Sequence, residues 1–510
     1  MSSIKYILSF TFLNMLLFHF PFYGYVLEHI ELSTFDGLVT LIIVTVALFV
    51  VNIFFLSILA LISTRLLKFF TIFTVFTVPI ALYFMRSYNT ILDRTMMGNV
   101  FNTDSGEALS FYHSSMFIYL FVGLFLSYMV YKIEIKKSKR LSLLKYGLGI
   151  TLVGILILYL NASKWLWLDK HAKNLGARAM PWSYVINSVR YKLRALKASK
   201  KQILLPPATF THPQAKQVVI LVIGESARAK NFSLYGYEKE TNPRLEKEDI
   251  VVLKNSISTA TYTTASVHSM LSYTGSSSDS YEPLPNYLQR QGVEVWWRSK
   301  NWGEPTLKVA QYERASDLKE DCVGDGCSHD GVLLSHLMQK IKASTKDKIF
   351  IVLHTTGSHG PSYFEKYPKR FEVFKPVCKT VNIKACSQEA LNNAYDNTIV
   401  YTDYLLATII DGLKAFKGLN SLMLYISDHG ESLGEYGLYL HGTPYAIAPD
   451  VQKEVPFIFW ASKKFKKEKN IEALSFDKKS YGQYNIFHSI LGAFEMNSTI
   501  YDKKLDIFSK

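Results

Sequence analysis

Cysteine is rare in this chain: four residues in 510, with no glycine-rich phosphate loop, internal repeat or low-complexity tract. The missing loop excludes nucleotide binding of the P-loop kind. The missing repeat excludes solenoids and propellers. The four cysteines fall in two tight pairs, Cys322 with Cys327 and Cys378 with Cys386. Paired cysteines can hold zinc, but no histidine stands at finger-like spacing from these. Two short disulfide-closed loops, acting as structural clips, are the expected reading, provided the segment lies in an oxidising compartment.

Apolar residues, by contrast, are abundant, at 49% of the chain, and they crowd into the first 160 positions. Five segments there approach the roughly 18–20 residues that cross a bilayer. They lie near Ile4–Phe22, Leu38–Leu59, Leu66–Met85, Ser115–Tyr131 and Leu144–Leu160. The first lacks a small-residue cleavage site and is followed by further spans, so it reads as a retained anchor. Basic residues cluster in the second and fourth connections (Arg65 and Lys68; Lys132, Lys136, Lys137, Lys139, Arg140 and Lys145). The first connection carries Glu28, Glu31 and Asp36 and no base. The positive-inside rule then sets the even connections in the cytoplasm and everything after Leu160 outside, which in a bacterium is the periplasm. That compartment supports the disulfides.

The expected organisation is a five-span inner-membrane domain over 1–163 with an outer loop at 86–113. An interfacial helix and linker over 164–215 and a catalytic domain over 216–510 follow. Trp165 and Trp167 suit the membrane interface. Arg190, Lys192, Arg194, Lys197, Lys200 and Lys201 give the following segment a basic face for anionic head groups. The net charge of +15 is therefore ascribed to the membrane surface, and nucleic acid is not expected as a partner.

From about Lys216 onward, strand and helix signals alternate, as in a sheet covered by helices on both faces. Four apolar runs end in polar, glycine-containing or basic stretches. Val218–Ile223 leads to Gly224-Glu225-Ser226, and Val293–Trp297 to Arg298-Ser299-Lys300-Asn301. Ile349–Leu353 leads to His354 through Gly360, and Leu422–Ile426 to Ser427-Asp428-His429-Gly430-Glu431. Open α/β sheets bind ligands outside the carboxyl ends of their strands, so several such endings point to one shared site. Carboxylates with imidazole there suit a divalent metal. The stretch Ser256–Tyr273 is crowded with hydroxyls, and one bound to a metal would become a nucleophile. Spacing alone does not choose among Thr259, Thr261, Thr263, Thr264 and Ser266. In the outer loop, Asn99, Thr103 and Glu107 are spaced so that a helix would set them on one face. That face is read either as a solvated one or as a lip for a lipid head group.

Several of these blocks together resemble the bacterial phosphoethanolamine transferases, members of the alkaline phosphatase and sulfatase superfamily. They are GES at Gly224–Ser226, the T-x-T before Ser266, H-x-x-G-x-H-G-P at His354–Pro361, the Y-D-N at Tyr395–Asn397, and SDHGESLGE with YLHG between Ser427 and Pro444. The resemblance covers nearly the whole chain. It implies an α/β fold: a five-helix transmembrane domain followed by a periplasmic α/β/α sandwich of the alkaline-phosphatase and sulfatase kind. It implies zinc at one tight site formed by Glu225, Thr263, Asp428 and His429, with Thr263 as nucleophile. A second metal is allowed, and manganese is the less favoured ion. His359 and His441 match residues that contact the transferred phosphate or a second metal, and Glu431 is a further contributor there. Asn99, Thr103 and Glu107 match positions associated with the donor lipid.

The implied reaction moves phosphoethanolamine from phosphatidylethanolamine to an envelope acceptor, lipid A first among them, through a phosphoethanolamine-threonine intermediate. A monomer in the membrane is expected. One departure stands out: Thr259 and Ser269 occupy positions where many relatives have a disulfide that staples the nucleophile loop, so a looser loop is expected. The rival readings are a glycerophosphate transferase of the lipoteichoic-acid synthase type and a membrane-anchored metal-dependent phosphatase. A sulfatase is disfavoured, because no C/S-x-P-x-R motif occurs at the nucleophile stretch.

Overall fold

The computed structural model describes residues 1–103, 111, 113–161, 164–198, 202–476 and 480–509. They form two compact units, Met1–Gly98 with Tyr112–Leu193, and Asn99–Phe111 with Arg194–Lys510.

In the first unit, three helices are long and apolar enough to cross a membrane: Phe35–Ile62, Thr64–Tyr88 and Arg140–Leu160. The first expected span is instead a pair, Ser3–Phe18 and Phe20–Glu28, bent by 61°. The break has a local cause. Pro21 opens the second helix and cannot donate to a preceding turn, and His19 fills the gap. Its Nδ1 donates to the Asn14 carbonyl at 3.0 Å, while Nε2 accepts the Met180 amide at 3.0 Å. The fourth expected span is the helix Met116–Lys132, at 17 residues shorter than the others. The membrane region thus holds three clear spans, or four if the bent pair counts as one.

Without water to drive association, membrane helices pack where small residues let them approach. A Cβ on Gly154 would stand 2.1 Å from Val50 Cγ2, and one on Gly147 2.9 Å from Ser57 Oγ. Helix Arg140–Leu160 therefore lies against Phe35–Ile62 along a glycine seam. At one end of this unit the terminal ammonium donates to the Glu134 carbonyl at 2.8 Å, and Ser2 bridges to Lys136.

The second unit is built on a seven-stranded sheet. In chain order its strands are β1 (Gln217–Gly224), β2 (Ile250–Val252), β3 (Glu294–Ser299), β4 (Gln311–Arg314), β5 (Lys348–His354), β6 (Asn420–Ser427) and β7 (Phe457–Ala461). Across the sheet the order is β2-β7-β6-β1-β5-β3-β4. The run β6-β1-β5-β3-β4 is parallel, and β7 and β2 close one edge antiparallel. Strands β1, β5 and β6 are buried at every residue, which explains their unbroken apolar runs. Among the described residues the core of one face joins Val219, Leu221, Phe350 and Leu424 to Phe487 and Leu491 of the helix Ile486–Ala493.

Register decides where the functional residues emerge. Gly224 pairs with Ser427, and Ile223 with both Ile426 and His354. Glu225 and Asp428 are thus the first residues beyond one and the same rung. Gly224 is required by contact, since a Cβ there would stand 2.6 Å from the Tyr425 hydroxyl. The cysteines are joined as Cys322–Cys327 and Cys378–Cys386.

The glycine seam yields a test. Gly154→Val should force Val50 and the facing helix apart, at a cost of ~1–3 kcal/mol for overpacking. Purified in detergent, the variant should show a lower thermal midpoint and poorer recovery than Gly149→Val, because Gly149 has open space around it.

Candidate active site

Strands β1 and β6 deliver Glu225, Asp428 and His429 to one point, and all three are fully buried. Their ligand atoms lie within 4.8 Å of one another, so the three form a group that could hold a metal ion. Ser226, at φ +55°, turns the chain immediately after Glu225. This left-handed conformation is costly for a residue with a Cβ, and such strain is characteristic of functional turns. It aims the Ser226 amide at Asp428 Oδ1, 3.0 Å away, and its hydroxyl at Glu225 Oε1, 2.7 Å away.

The hydrogen bonds of the three acids and bases decide what the centre lacks. His429 Nδ1 donates to the Gly430 carbonyl at 2.9 Å, so Nε2 carries only a lone pair. Asp428 Oδ1 accepts the amides of Ser226 and His429, which leaves Oδ2 buried and without a hydrogen-bond partner. That oxygen stands 3.2 Å from His429 Nε2, and Glu225 Oε1 stands 3.4 Å from the same nitrogen. Two carboxylates and an imidazole lone pair facing one another in a buried pocket need positive charge between them. A divalent metal supplies it, and two carboxylates with an imidazole are a donor set that such ions accept.

Electrostatics agree. Burial and the ionised Glu225 beside it push the Asp428 carboxyl well above the usual carboxylate range. Burial would also raise Glu225, but the imidazoles of His429, His359 and His441 outweigh it and hold the group below that range. Burial and then His441 press His429 down to about 3, against a smaller opposing pull from Glu225. The two carboxylates are thus driven apart in acidity, with Asp428 the one that burial and its neighbour favour in the protonated form.

Thr263 opens the helix Thr263–Leu271 beside this cluster. Its hydroxyl donates to Glu225 Oε2 at 3.2 Å and lies 3.4 Å from His429 Nε2. Of the five hydroxyls that spacing left open, Thr263 is the one seated against the buried acids. Thr259, Thr261 and Ser266 have structural work. Thr261 donates to the Thr443 carbonyl at 2.6 Å, and Ser266 to the Ala260 carbonyl at 3.2 Å. Ser269 donates to Thr259 Oγ1 at 2.8 Å, so a hydroxyl pair ties the loop where a looser one was expected.

His441 and His359 sit over the cluster. The His441 ring is 4.2 Å from that of His429 and 5.1 Å from that of His359. Its Nδ1 lies 3.4 Å from Glu431 Oε2 and 3.5 Å from Ser226 Oγ. Glu431 is fully buried, and its Oε1 has no hydrogen-bond partner. In the outer loop, Asn99 ends the helix Arg94–Asn102 save for three residues, and Thr103 donates its hydroxyl to the Asn99 carbonyl at 2.7 Å. The Asn99 amide nitrogen stands 3.3 Å from where a Cβ of Gly442, the neighbour of His441, would lie. Glu107 lies outside the described residues.

Two contributors escaped sequence reasoning. Asn301 donates to Glu225 Oε2 and to the Thr355 carbonyl, both at 2.8 Å. Its place just past β3 was a signal, but an amide at a strand end does not announce a role as an acid does. Gln483 accepts the Thr259 amide at 2.9 Å and donates to the carbonyls of Ser427 and Asp428. It comes from a segment with no motif.

Metal uptake should be pH-dependent with a defined sign. Asp428 retains its proton above the ordinary carboxylate range, so an entering ion must displace it, whereas His429 has none to lose at neutral pH. Affinity should rise by about tenfold per pH unit until Asp428 ionises unaided, with about one proton released per ion. Titration calorimetry in buffers of different ionisation enthalpy reads that proton directly; no release would contradict the assignment.

Comparison with known proteins agrees with this geometry. The family model described as phosphoethanolamine transferase EptA/EptB matches residues 48–196, and the sulfatase model matches residues 217–496. The chain is 39% identical over 502 residues to phosphoethanolamine transferase EptA of Helicobacter pylori, covering 96% of this chain and 94% of that protein. To the EptA of Salmonella typhimurium it is 32% identical over 537 residues, covering 99% and 96%. The integral membrane lipooligosaccharide phosphoethanolamine transferase A of Neisseria meningitidis superposes with a TM-score of 0.88 at 26% identity, over 98% of this chain and 97% of that one. With membrane and catalytic parts both matched along nearly its full length, the chain belongs to the phosphoethanolamine transferase family, within the alkaline phosphatase and sulfatase superfamily.

Proposed function

We propose that the protein transfers phosphoethanolamine from phosphatidylethanolamine to lipid A, with Thr263 as the group that carries it. The observation behind this reading is the Thr263 hydroxyl seated 3.2 Å from Glu225 and 3.4 Å from His429. Relatives named for transfer to lipid A or lipooligosaccharide support the acceptor class. The protein works as a multi-pass inner-membrane enzyme with its catalytic domain in the periplasm; the Neisseria meningitidis relative is named as an integral membrane protein, and the Campylobacter jejuni transferase, 37% identical, for its C-terminal periplasmic domain.

Five crossings fit the described contacts. The N-terminus pairs with the segment at Glu134–Lys136, so an even number of crossings must separate them. Helices Phe35–Ile62 and Thr64–Tyr88 are two of these, and the bent pair and Met116–Lys132 then cross together. The latter, at ~1.5 Å per residue, spans about 26 Å, close to the hydrocarbon thickness. Arg140–Leu160 makes the fifth and carries the chain outward.

Glu225, Asp428, His429 and Thr263 would hold zinc, with manganese second. Glu431, His441 and His359 are the candidates for a second ion or for the phosphoryl group itself. Bound zinc would lower the pKa of the Thr263 hydroxyl and offset charge on the phosphoryl oxygens. In the reaction, Thr263 Oγ forms a bond to the donor phosphorus as the bond to the diacylglycerol oxygen breaks. The proton released by Thr263 passes to solvent, because Glu225 is held ionised below the carboxylate range and orients the hydroxyl without keeping its proton. His441 or His359 protonates the departing alkoxide, since both rings lie next to the cluster, His441 4.2 Å from His429 and 5.1 Å from His359. An acceptor phosphate or hydroxyl then attacks the same phosphorus and frees Thr263. Asn99 and Thr103 are assigned to the donor lipid, as the family resemblance also implies for Glu107, and Asn301 keeps Glu225 turned toward Thr263. The two disulfides clip surface loops and take no part.

The intermediate provides the test. Incubation of the full chain with phosphatidylethanolamine vesicles, without acceptor, should leave phosphoethanolamine on the peptide containing Thr263, detected by mass spectrometry. Thr263→Ala should abolish both the adduct and diacylglycerol release. A glycerophosphate adduct would identify the teichoic-acid type of reaction instead, and rapid loss of the group to water would mark a phosphatase.

A further inference from the structure

Beside the cluster, the turn that carries His359 is held by a carboxylate to which no role has been given. The turn leaves β5 at Thr355, whose amide and hydroxyl both donate to the Ile223 carbonyl, at 3.1 and 3.0 Å. Ser358 donates its amide to the Glu225 carbonyl at 2.9 Å. Gly357 adopts φ +42°, and a Cβ on it would stand 2.7 Å from the Glu225 carbonyl oxygen. The turn is therefore pressed onto the backbone of Glu225 with no room between them.

Its other side is gripped by Asp330, which is 3% exposed. Oδ1 accepts the Thr356 amide at 2.9 Å and the Thr356 hydroxyl at 2.7 Å, while Oδ2 accepts the Gly357 amide at 2.8 Å. Three donors converging on one buried carboxylate are charge-assisted bonds, stronger and more directional than neutral ones. Asp330 is itself fixed. The Gly331 amide donates to the Tyr401 hydroxyl at 2.9 Å. A Cβ on Gly331 would stand 3.1 Å from Gly326, inside the loop that Cys322–Cys327 closes. A chain of contacts thus runs from a surface clip through Asp330 to the turn bearing His359.

We propose that Asp330 is a positioning residue for the transfer reaction. Its carboxylate clamps the 355–359 turn against Glu225 and so fixes His359 opposite His441. This rests on the role given to His359 above. An amide at position 330 would keep an acceptor for Thr356 but turn an NH₂ donor toward the Gly357 amide, releasing half of the clamp without emptying the space.

The test uses the full chain in detergent with mixed vesicles of phosphatidylethanolamine, comparing D330N, T356V, H359A and D330N/H359A. Diacylglycerol release gives kcat and KM, and bound zinc per chain is measured separately. D330N should lower kcat by about 100-fold, the scale of an ångström-sized misplacement, and T356V by a smaller factor. KM and bound zinc should stay unchanged, and D330N should add nothing in the H359A background. Parental kcat in D330N, loss of zinc from it, or an equal further loss in the double variant would overturn the proposal. If D330N does not fold, T356V with and without H359A decides the matter by the same criterion. An H359A protein as active as the parent removes the role proposed for His359 while leaving the Thr263 adduct intact. Any loss in D330N would then be independent of His359 and would overturn the clamp as well.

Discussion

Unshared negative charge in a closed space governs the catalytic domain. Glu225 and Asp428 emerge from a single rung of the sheet, and the lone pair of His429 Nε2 faces both. No donor among the described residues fills the gap at Asp428 Oδ2. Burying such a set without a counter-charge costs several kcal/mol. The fold accepts that cost because the sheet leaves these residues nowhere else to go. Asn301, Ser226 and Gln483 then restrain each carboxylate or carbonyl so that its remaining oxygen faces inward.

The same constraint singles out one hydroxyl among many for the proposed transfer. A threonine at the first position of a helix is ordinarily a neutral, unreactive alcohol. Thr263 differs because helix Thr263–Leu271 begins against Glu225 and His429, and because the loop before it is tied down. Thr261 and Gly442 lace that loop to the segment carrying His441, and the Thr259–Ser269 hydroxyl pair fastens its base. Hydrogen bonds of this kind contribute about 1 kcal/mol each. A noncovalent tie thus takes the place of the expected slack.

Much of this was legible before any coordinates. Unbroken apolar runs ending in Glu225, His354 and Asp428 follow directly from a parallel sheet buried on both faces, and charge in the connections gave the sidedness of the membrane part. Other features were not legible, for physical reasons. Hydropathy averages over a window, so the bend at His19 and Pro21 vanished into a single apolar segment. Choice among Thr259, Thr261, Thr263, Thr264 and Ser266 needed the resemblance to known transferases, because a strand-to-helix turn can present any of several hydroxyls. Asn301, Gln483 and Asp330 act through amide and carboxylate contacts made across long stretches of chain. Such contacts leave no periodicity and no motif behind them.

The central claim is that one ion gathers Glu225, Asp428, His429 and Thr263. Diffraction data from crystals of the purified full chain, collected on both sides of the zinc absorption edge, address it most directly. A single strong anomalous peak bonded to Thr263 Oγ1, His429 Nε2 and both carboxylates is the expected result. A fully zinc-loaded protein whose only peak lies elsewhere, or whose peak at the cluster leaves Thr263 out of reach, would contradict the account.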